Sequence, residues 1–159
     1  MITPQFTQQQ VRRFLNDFAD NQELRMATVL SQEGEILSVD ARLGGSYTNF
    51  SGRLRSSIKQ RTLNGTKLFK DGSEQVFRGR GFVFRRQVFS TGDEGPEGVD
   101  EANALLDLIL RPEKNLIQMA IVAAMDYAHE VEMNGKAVLT PFFQARIDTL
   151  NLKLNVLTR

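Results

Sequence analysis

RLRSSIKQRTLNGTKLFKDG, residues 53–72, is the stretch that decides the fold class. Arg53-Leu54-Arg55-Ser56-Ser57-Ile58 enters a strand-like run. Asn64-Gly65 follows, the dipeptide that two-residue hairpin loops prefer because both central positions of that turn need positive φ. Lys70-Asp71-Gly72-Ser73 is a second turn signal. Beyond it, Val76, Phe77, Phe82, Val83, Phe84, Val88 and Phe89 suit a pleated, half-buried surface. Two or three antiparallel strands over 53–90 are expected, with Gly79 and Gly81 marking a bulge or a close backbone approach.

On both sides of this segment the apolar period is helical. Thr7 and Gln10 have capping-box spacing, and Phe6 and Val11 have staple spacing. Val11, Phe14, Leu15 and Phe18 then make one apolar stripe, which predicts a helix over about 8–20 that ends in Asp20-Asn21-Gln22. A second helix is expected over about 23–43, from Met26, Ala27, Val29 and Leu30 to Leu37, Ala41 and Leu43, with a break or kink at Gly34. Residues 91–98 read as an acidic surface loop. Ala102, Leu105, Leu106, Ile109 and Leu110 form a short amphipathic helix stopped by Pro112. Leu116 to Ala124 is continuously apolar, so period does not separate strand from helix: Ile117, Ile121 and Val122 favour the first, Met119, Ala120 and Ala123 the second. Asn134-Gly135 is a turn. Thr140 and Pro141 open a last helix over about 141–151, and the alternation from Leu152 to Leu157 reads as a short strand.

The expected fold is therefore α+β: a small antiparallel sheet packed by three or four helices, with an N-terminal helix and a basic β-hairpin region. Its 159 residues suit a single domain, with 1–22 as an N-terminal helical arm and 91–111 as an acidic loop-and-helix insertion. Hydrophobic residues at 41% and charged residues at 25% exclude collagen-like, coiled-coil and wholly disordered chains. No apolar run reaches the ~18 residues that cross a bilayer, so no membrane partner is expected. Met1-Ile2-Thr3-Pro4-Gln5 lacks the basic and apolar regions of a signal peptide, which points to the cytosol or to something assembled there.

The absence of cysteine excludes disulfides, thiolate zinc sites and cysteine nucleophiles, and a single histidine excludes a multi-histidine metal site. That histidine, His129, lies among Asp126, Glu130 and Glu132 with no second strong ligand or nucleophile placed beside it. Neither a nucleophile elbow nor a phosphate-binding Gly-Lys-Ser/Thr loop occurs. No catalytic residue, metal or cofactor is expected. Arg78-Gly79-Arg80-Gly81-Phe82-Val83-Phe84-Arg85 resembles the RNP1 strand of RNA-recognition motifs at five of seven specified positions. Arg80 and Arg85 stand where aromatic rings are required, and Arg80 removes a base-stacking platform.

Charge carries more information than composition. Residues 51–90 hold ten basic side chains against Asp71 and Glu74, a net of +8. Residues 91–115 hold seven acidic side chains against Arg111 and Lys114, a net of −5. Two solvated faces of a monomer would give this map. So would a polyanion held non-specifically on residues 53–86, or basic and acidic faces meeting across a repeated subunit contact. Arg53, Arg55, Arg61, Arg78, Arg80, Arg85 and Arg86 are the basic candidates for a subunit interface or a DNA-facing surface. Asp93, Glu94, Glu97, Asp100 and Glu101 are the acidic interface candidates.

Three segments, in order along the chain, resemble one known family. Gly34-Glu35-Ile36-Leu37 through Asp40-Ala41-Arg42, and then Phe50-Ser51-Gly52-Arg53-Leu54-Arg55-Ser56-Ser57-Ile58, resemble a helix leading into a Thr/Ser-Gly-Xaa-Leu-Arg-Xaa-Ser-Ile strand. Tyr127-Ala128-His129-Glu130-Val131-Glu132-Met133-Asn134-Gly135 and Thr140-Pro141-Phe142-Phe143-Gln144-Ala145 are similar to two later motifs. The family is the tail-completion, or neck (head–tail connector), proteins of tailed bacteriophages. The resemblance implies that the apolar run before Tyr127 is a strand. It also implies a structural role for Gly52, Leu54, Tyr127, Pro141 and Phe142. It further implies a ring of identical subunits in a virion, assembled in the host cytoplasm against portal, connector or tail proteins, with double-stranded DNA passing through the channel, no cofactor and no catalysis. The N-terminal helix, the acidic insertion and the tail after residue 151 lie outside the matched pattern.

Overall fold

In the computed structural model, residues 6–47, 52–72, 82–84, 87–89 and 95–157 are described. The first element, α1 (Gln8–Gly44), starts at the expected capping box. The Gln10 amide donates to Thr7 Oγ1 at 3.3 Å, and the Thr7 amide donates to Gln10 Oε1 at 2.8 Å.

One helix of 37 residues replaces the two that were expected. Asp20, Asn21 and Gln22 each give up only a few tenths of a kcal/mol in propensity, and no proline enforces a stop. Gly34 does not break the helix either. It is the point where α1 presses on the sheet: a Cβ there would lie 2.6 Å from Met119 Sδ and 3.2 Å from Gln60 Oε1.

After the loop comes α2 (Arg53–Ser56), a single helical turn where a strand entry was expected. Its serines account for the difference, because they satisfy the local backbone in a helical turn. Ser56 Oγ donates to the Gly52 carbonyl at 2.9 Å, and Ser57 Oγ to that of Leu54 at 2.8 Å. The strand β1 (Ile58–Asn64) then turns into β2 (Lys67–Asp71) in the expected hairpin, but the two-residue loop is Gly65-Thr66: Asn64 pairs with Lys67 as the last strand residue, and Gly65 alone takes the positive φ, +61°. A separate antiparallel pair, β3 (Phe82–Phe84) and β4 (Gln87–Phe89), matches Phe82 with Phe89 and Val83 with Val88. Gly79 and Gly81 lie outside the described residues.

The helix α3 (Gly95–Ile109) starts within the segment read as an acidic loop. Pro96 is tolerated in a first turn, where its missing N–H has no partner to lose, and acidic residues there suit the helix dipole. The apolar run is a strand, β5 (Ile117–Ala123), paired antiparallel with β1 from Ile58↔Ala123 to Asn64↔Ile117. The sheet order is β2-β1-β5. Both faces of β5 are covered, which explains why its sequence does not alternate. Val122 and Ala120 join Leu63, Ala102, Leu106 and Leu110 under α3. Met119 faces α1 on the other side.

A short helix, α4 (Ala128–Met133), and the turn at Asn134-Gly135 lead to α5 (Thr140–Leu157). The expected C-terminal strand is absent, because α5 continues through it. Its partly buried positions, 142, 146, 150, 154 and 157, keep a helical period. Arg146 bonds Asp40 at 2.8 Å and Lys153 bonds Glu33, so α5 runs antiparallel along α1 to its last turns.

The α3 helix lies so close to α2 that a Cβ at Gly98 would come within 2.2 Å of the Arg53 carbonyl oxygen and 3.0 Å of the Ser57 nitrogen. Both are main-chain atoms that a rotamer change does not move. Gly98→Ala is therefore expected to cost about 1–3 kcal/mol, despite the better helix propensity of alanine. Urea unfolding followed by circular dichroism checks this, and an unchanged midpoint would contradict the contact.

Candidate assembly surfaces

The basic and acidic segments meet inside the subunit. From β1, Lys59 and Arg61 point toward α3. Lys59 is 1% exposed, and its ammonium donates to Asp71 Oδ2 at 3.2 Å and to Asn103 Oδ1 at 2.6 Å. Arg61 grips the same carboxylate with two nitrogens, at 2.9 and 3.2 Å, and reaches Asp107 of α3 with a third. The hydrogen bonds that Arg61 donates to Asp71 outweigh burial and raise the Arg61 pKa. Burial pushes the Asp71 carboxyl up, but the bonds from Arg61 and Lys59 outweigh it and hold it below the usual carboxylate range. Arg61, expected at a subunit contact or facing DNA, is instead a clasp between the sheet and α3.

The other basic candidates divide. Arg55 is half-buried, with Nη2 on the Gly45 carbonyl at 3.2 Å and its guanidinium 5.3 Å from the Tyr47 ring centroid. Burial pushes the Tyr47 hydroxyl up to about 12, against the pull of the Arg55 charge. Arg53 is half-buried at the start of α2. Arg78, Arg80, Arg85 and Arg86 lie outside the described residues, as do Asp93 and Glu94. Glu97 falls in the first turn of α3, and Asp100 and Glu101 are exposed on that helix.

The motif residues converge. Gly52 takes the left-handed conformation, φ +84°, that starts α2. Leu54 and Ile58 are buried with Ala41, Tyr47, Ala128 and Val138, and Phe142 packs against that cluster. Pro141 is exposed in the first turn of α5, and Tyr127 is exposed at the start of α4. The three segments of the resemblance, far apart in the chain, thus share one core.

Glu132 is a structural residue that sequence reading assigned only to the surroundings of His129. Its carboxylate caps α5 from outside, accepting from the Leu139 and Thr140 amides at 2.6 Å each and from Thr140 Oγ1 at 2.9 Å. The signal that could have found it is the pairing of Thr140 with an acid eight residues earlier across a turn. His129 itself is exposed, and among the described residues no group of three or more histidines and carboxylates could hold a metal ion.

The N-terminal half of α1 is an exposed apolar surface. From Gln8 to Arg25 every residue except Gln22 is exposed. That length is roughly 27 Å at helical rise. Phe6 is 75% and Phe14 68% exposed, with Val11, Leu15 and Phe18 beside them also exposed. The buried residues of α1 are Ala27, Ser31, Glu33, Gly34, Leu37, Ser38, Ala41 and Arg42. At 3.6 residues per turn the stripe lies roughly half a turn from Ala27, Ser31, Gly34 and Ala41, which face the sheet, and on the side where Glu33 and Asp40 meet α5 farther along the helix. Among the described residues no helix is long and apolar enough to cross a membrane. Comparison with known proteins finds no matching family model, no matching curated protein and no matching solved structure.

Two predictions follow from the polar contacts. Asp71→Asn removes the charge that buried Lys59 and Arg61 share and is expected to cost about 3 kcal/mol, read by denaturant unfolding. The Glu132 pKa is lowered in the folded state: burial pushes it up, but the Leu139 and Thr140 bonds prevail. The cap's contribution is therefore complete above the unfolded carboxyl pKa and disappears as pH falls through the folded one. Glu132→Gln should lose about 1 kcal/mol at neutral pH and less in acid, so the stability gap between variant and parent narrows below about pH 4.

Proposed function

We propose that this chain is a structural virion subunit of a tailed phage that forms an oligomeric ring at the head–tail junction, in the class of neck, connector or tail-completion proteins. The observation that carries the assembly reading is the arm of α1. A helix with Phe14 and Phe18 in water, preceded by an exposed Phe6 and turned away from its own sheet, is the kind of apolar surface that another subunit covers. The place of assembly rests on the resemblance. Its support is that Leu54, Ile58, Ala128, Val138 and Phe142, contributed by the matched segments and the turn between them, pack into one cluster rather than scattering over the surface.

The runner-up, non-specific nucleic-acid binding through residues 53–86, loses part of its charge to the fold. Lys59 and Arg61 are held by carboxylates and are not displayed to a phosphate backbone.

Electron microscopy and native mass spectrometry of the full chain, alone and with its neighbouring portal and tail proteins, test the proposal. Closed rings, or incorporation at the junction of a particle, are expected. A chain that stays monomeric under both conditions overturns it. Nucleic-acid binding with a steep salt dependence and no assembly would favour the runner-up.

A further inference from the structure

We infer that β5 pairs with the β5 of a second copy, antiparallel and about a two-fold axis at Ala120, so that one sheet runs through both copies. The inference goes beyond the ring reading and does not rest on it, because such a contact is isologous and closes on itself.

The β1–β5 ladder shows which main-chain groups are left over. The Ala124 amide donates to the Ser57 carbonyl at 3.4 Å, and the Gly65 amide donates to the Leu116 carbonyl at 3.1 Å. Between these bonds the register is unbroken, from Ile58↔Ala123 to Asn64↔Ile117. In an antiparallel ladder alternate residues turn their N–H and C=O to the partner strand. The even-numbered residues of β5 therefore face β1, and Ile117, Met119, Ile121 and Ala123 turn theirs outward. Among the described residues no strand lies on that side, where the sheet order ends.

The two edges of the sheet are built differently. On β2, Lys67 and Lys70 are exposed, and the register with β1 shifts between Thr62 and Leu63. Charge and irregularity of this kind stop an edge from accepting another strand. The β5 sequence, Ile-Gln-Met-Ala-Ile-Val-Ala, has neither a charge nor a proline.

A second copy fits this edge because the strand is self-complementary. An axis at Ala120 sets Ile117 opposite Ala123, Gln118 opposite Val122 and Met119 opposite Ile121. Each outward residue then meets an outward residue, and every outward N–H and C=O of the strand has a partner. Any other centre leaves some of them unpaired at one end. No like charges are brought together, which would oppose the pairing.

The side chains agree with the backbone. The outward residues share the face toward α1 and α5: Met119 lies against Gly34, and Ala123 packs on the cluster around Ile58. At the free edge this face opens as a groove of about 280 Å³ lined by Met119, Ile121, Leu139, Thr140 and Phe143. Phe143 is 39% exposed, and Ile147 beside it 37%. The axis is perpendicular to the sheet, so the same face continues from one copy into the other. The two grooves adjoin, and each covers apolar side chains of the other.

The chain has no cysteine, so an introduced thiol reports alone. On the axis, Ala120 faces its own counterpart in a pair without hydrogen bonds, where Cα atoms stand about 4.5 Å apart, within disulfide range. Gln118 would stand roughly 14 Å from its counterpart, too far to link. Mild oxidation of full-length Ala120→Cys is expected to give roughly tenfold more disulfide-linked dimer than Gln118→Cys. Hydrogen exchange should show the Met119 and Ile121 amides protected at high concentration and unprotected on dilution. Ile121→Lys, with its fold checked by circular dichroism, should be monomeric by sedimentation, because it sets a cation at each end of the paired segment. Equal linking of the two cysteine variants would overturn the inference, as would a folded Ile121→Lys that dimerises like the parent. If the lysine variant does not fold, the cross-link comparison decides alone. Rings seen by electron microscopy without the Ala120→Cys link would overturn the pairing and leave the ring reading intact.

Discussion

The Asp71 carboxylate is the contact on which the arrangement of the sheet depends. The central strand β1 places a lysine and an arginine under a helix, where a lone cation is costly. Asp71 reaches both from β2, and Asn103 and Asp107 complete the set from α3. With the cations satisfied, the apolar residues alongside can close: Leu63 of β1, Val122 of β5 and Leu106 of α3 pack on the same face. A polar network thus fixes where α3 sits, and packing supplies the affinity. Such a network specifies one position more sharply than an apolar face alone, because a shifted helix would leave a charge unpaired.

This arrangement changes what the charge map of the sequence means. A net of +8 beside a net of −5 invites a reading in terms of partners, because neighbouring blocks of opposite charge look like two surfaces. Antiparallel β1–β2 pairing and the placement of α3 bring part of each block together within the subunit. The exposed remainder is what partners can read. On α3 that remainder includes Asp100 and Glu101, and on β2 it includes Lys67 and Lys70. Arg61 is engaged within the subunit by a contact that no linear count of charge could reveal.

What was legible in the sequence had a local cause. Thr7 with Gln10 set the start of α1, and Gly65 set the β1–β2 turn, one position along from where the Asn-Gly pair centred it. The α+β class followed from these and from the strand formers between the helices. What was not legible depended on distant partners. The Asp20-Asn21-Gln22 stretch looks like a helix end, yet nothing competes with the helix there. Leu152 to Leu157 alternate like a strand, yet Lys153 is tied to Glu33 on α1 and the helix persists. Residues 116–125 were ambiguous because a strand covered on both faces carries no alternation. Glu132 escaped as a cap because its target amides lie seven and eight residues on, across a turn.

The arm was legible as an amphipathic helix, but not where its apolar face would point. Its stripe has the period of a core-facing helix, and period alone says that a face is apolar without saying whose core it joins. Phase supplies the missing information. Within one unbroken α1, the apolar stripe before Arg25 lies opposite the positions after Met26 that face the sheet, on the side that α5 covers only farther along. Joining the two expected helices into one therefore changes the surface as well as the fold: a broken helix could have folded its stripe home, and a continuous one leaves it exposed. The continuity of α1 through residues 20–22 and Gly34 is what makes the stripe a surface rather than part of the core.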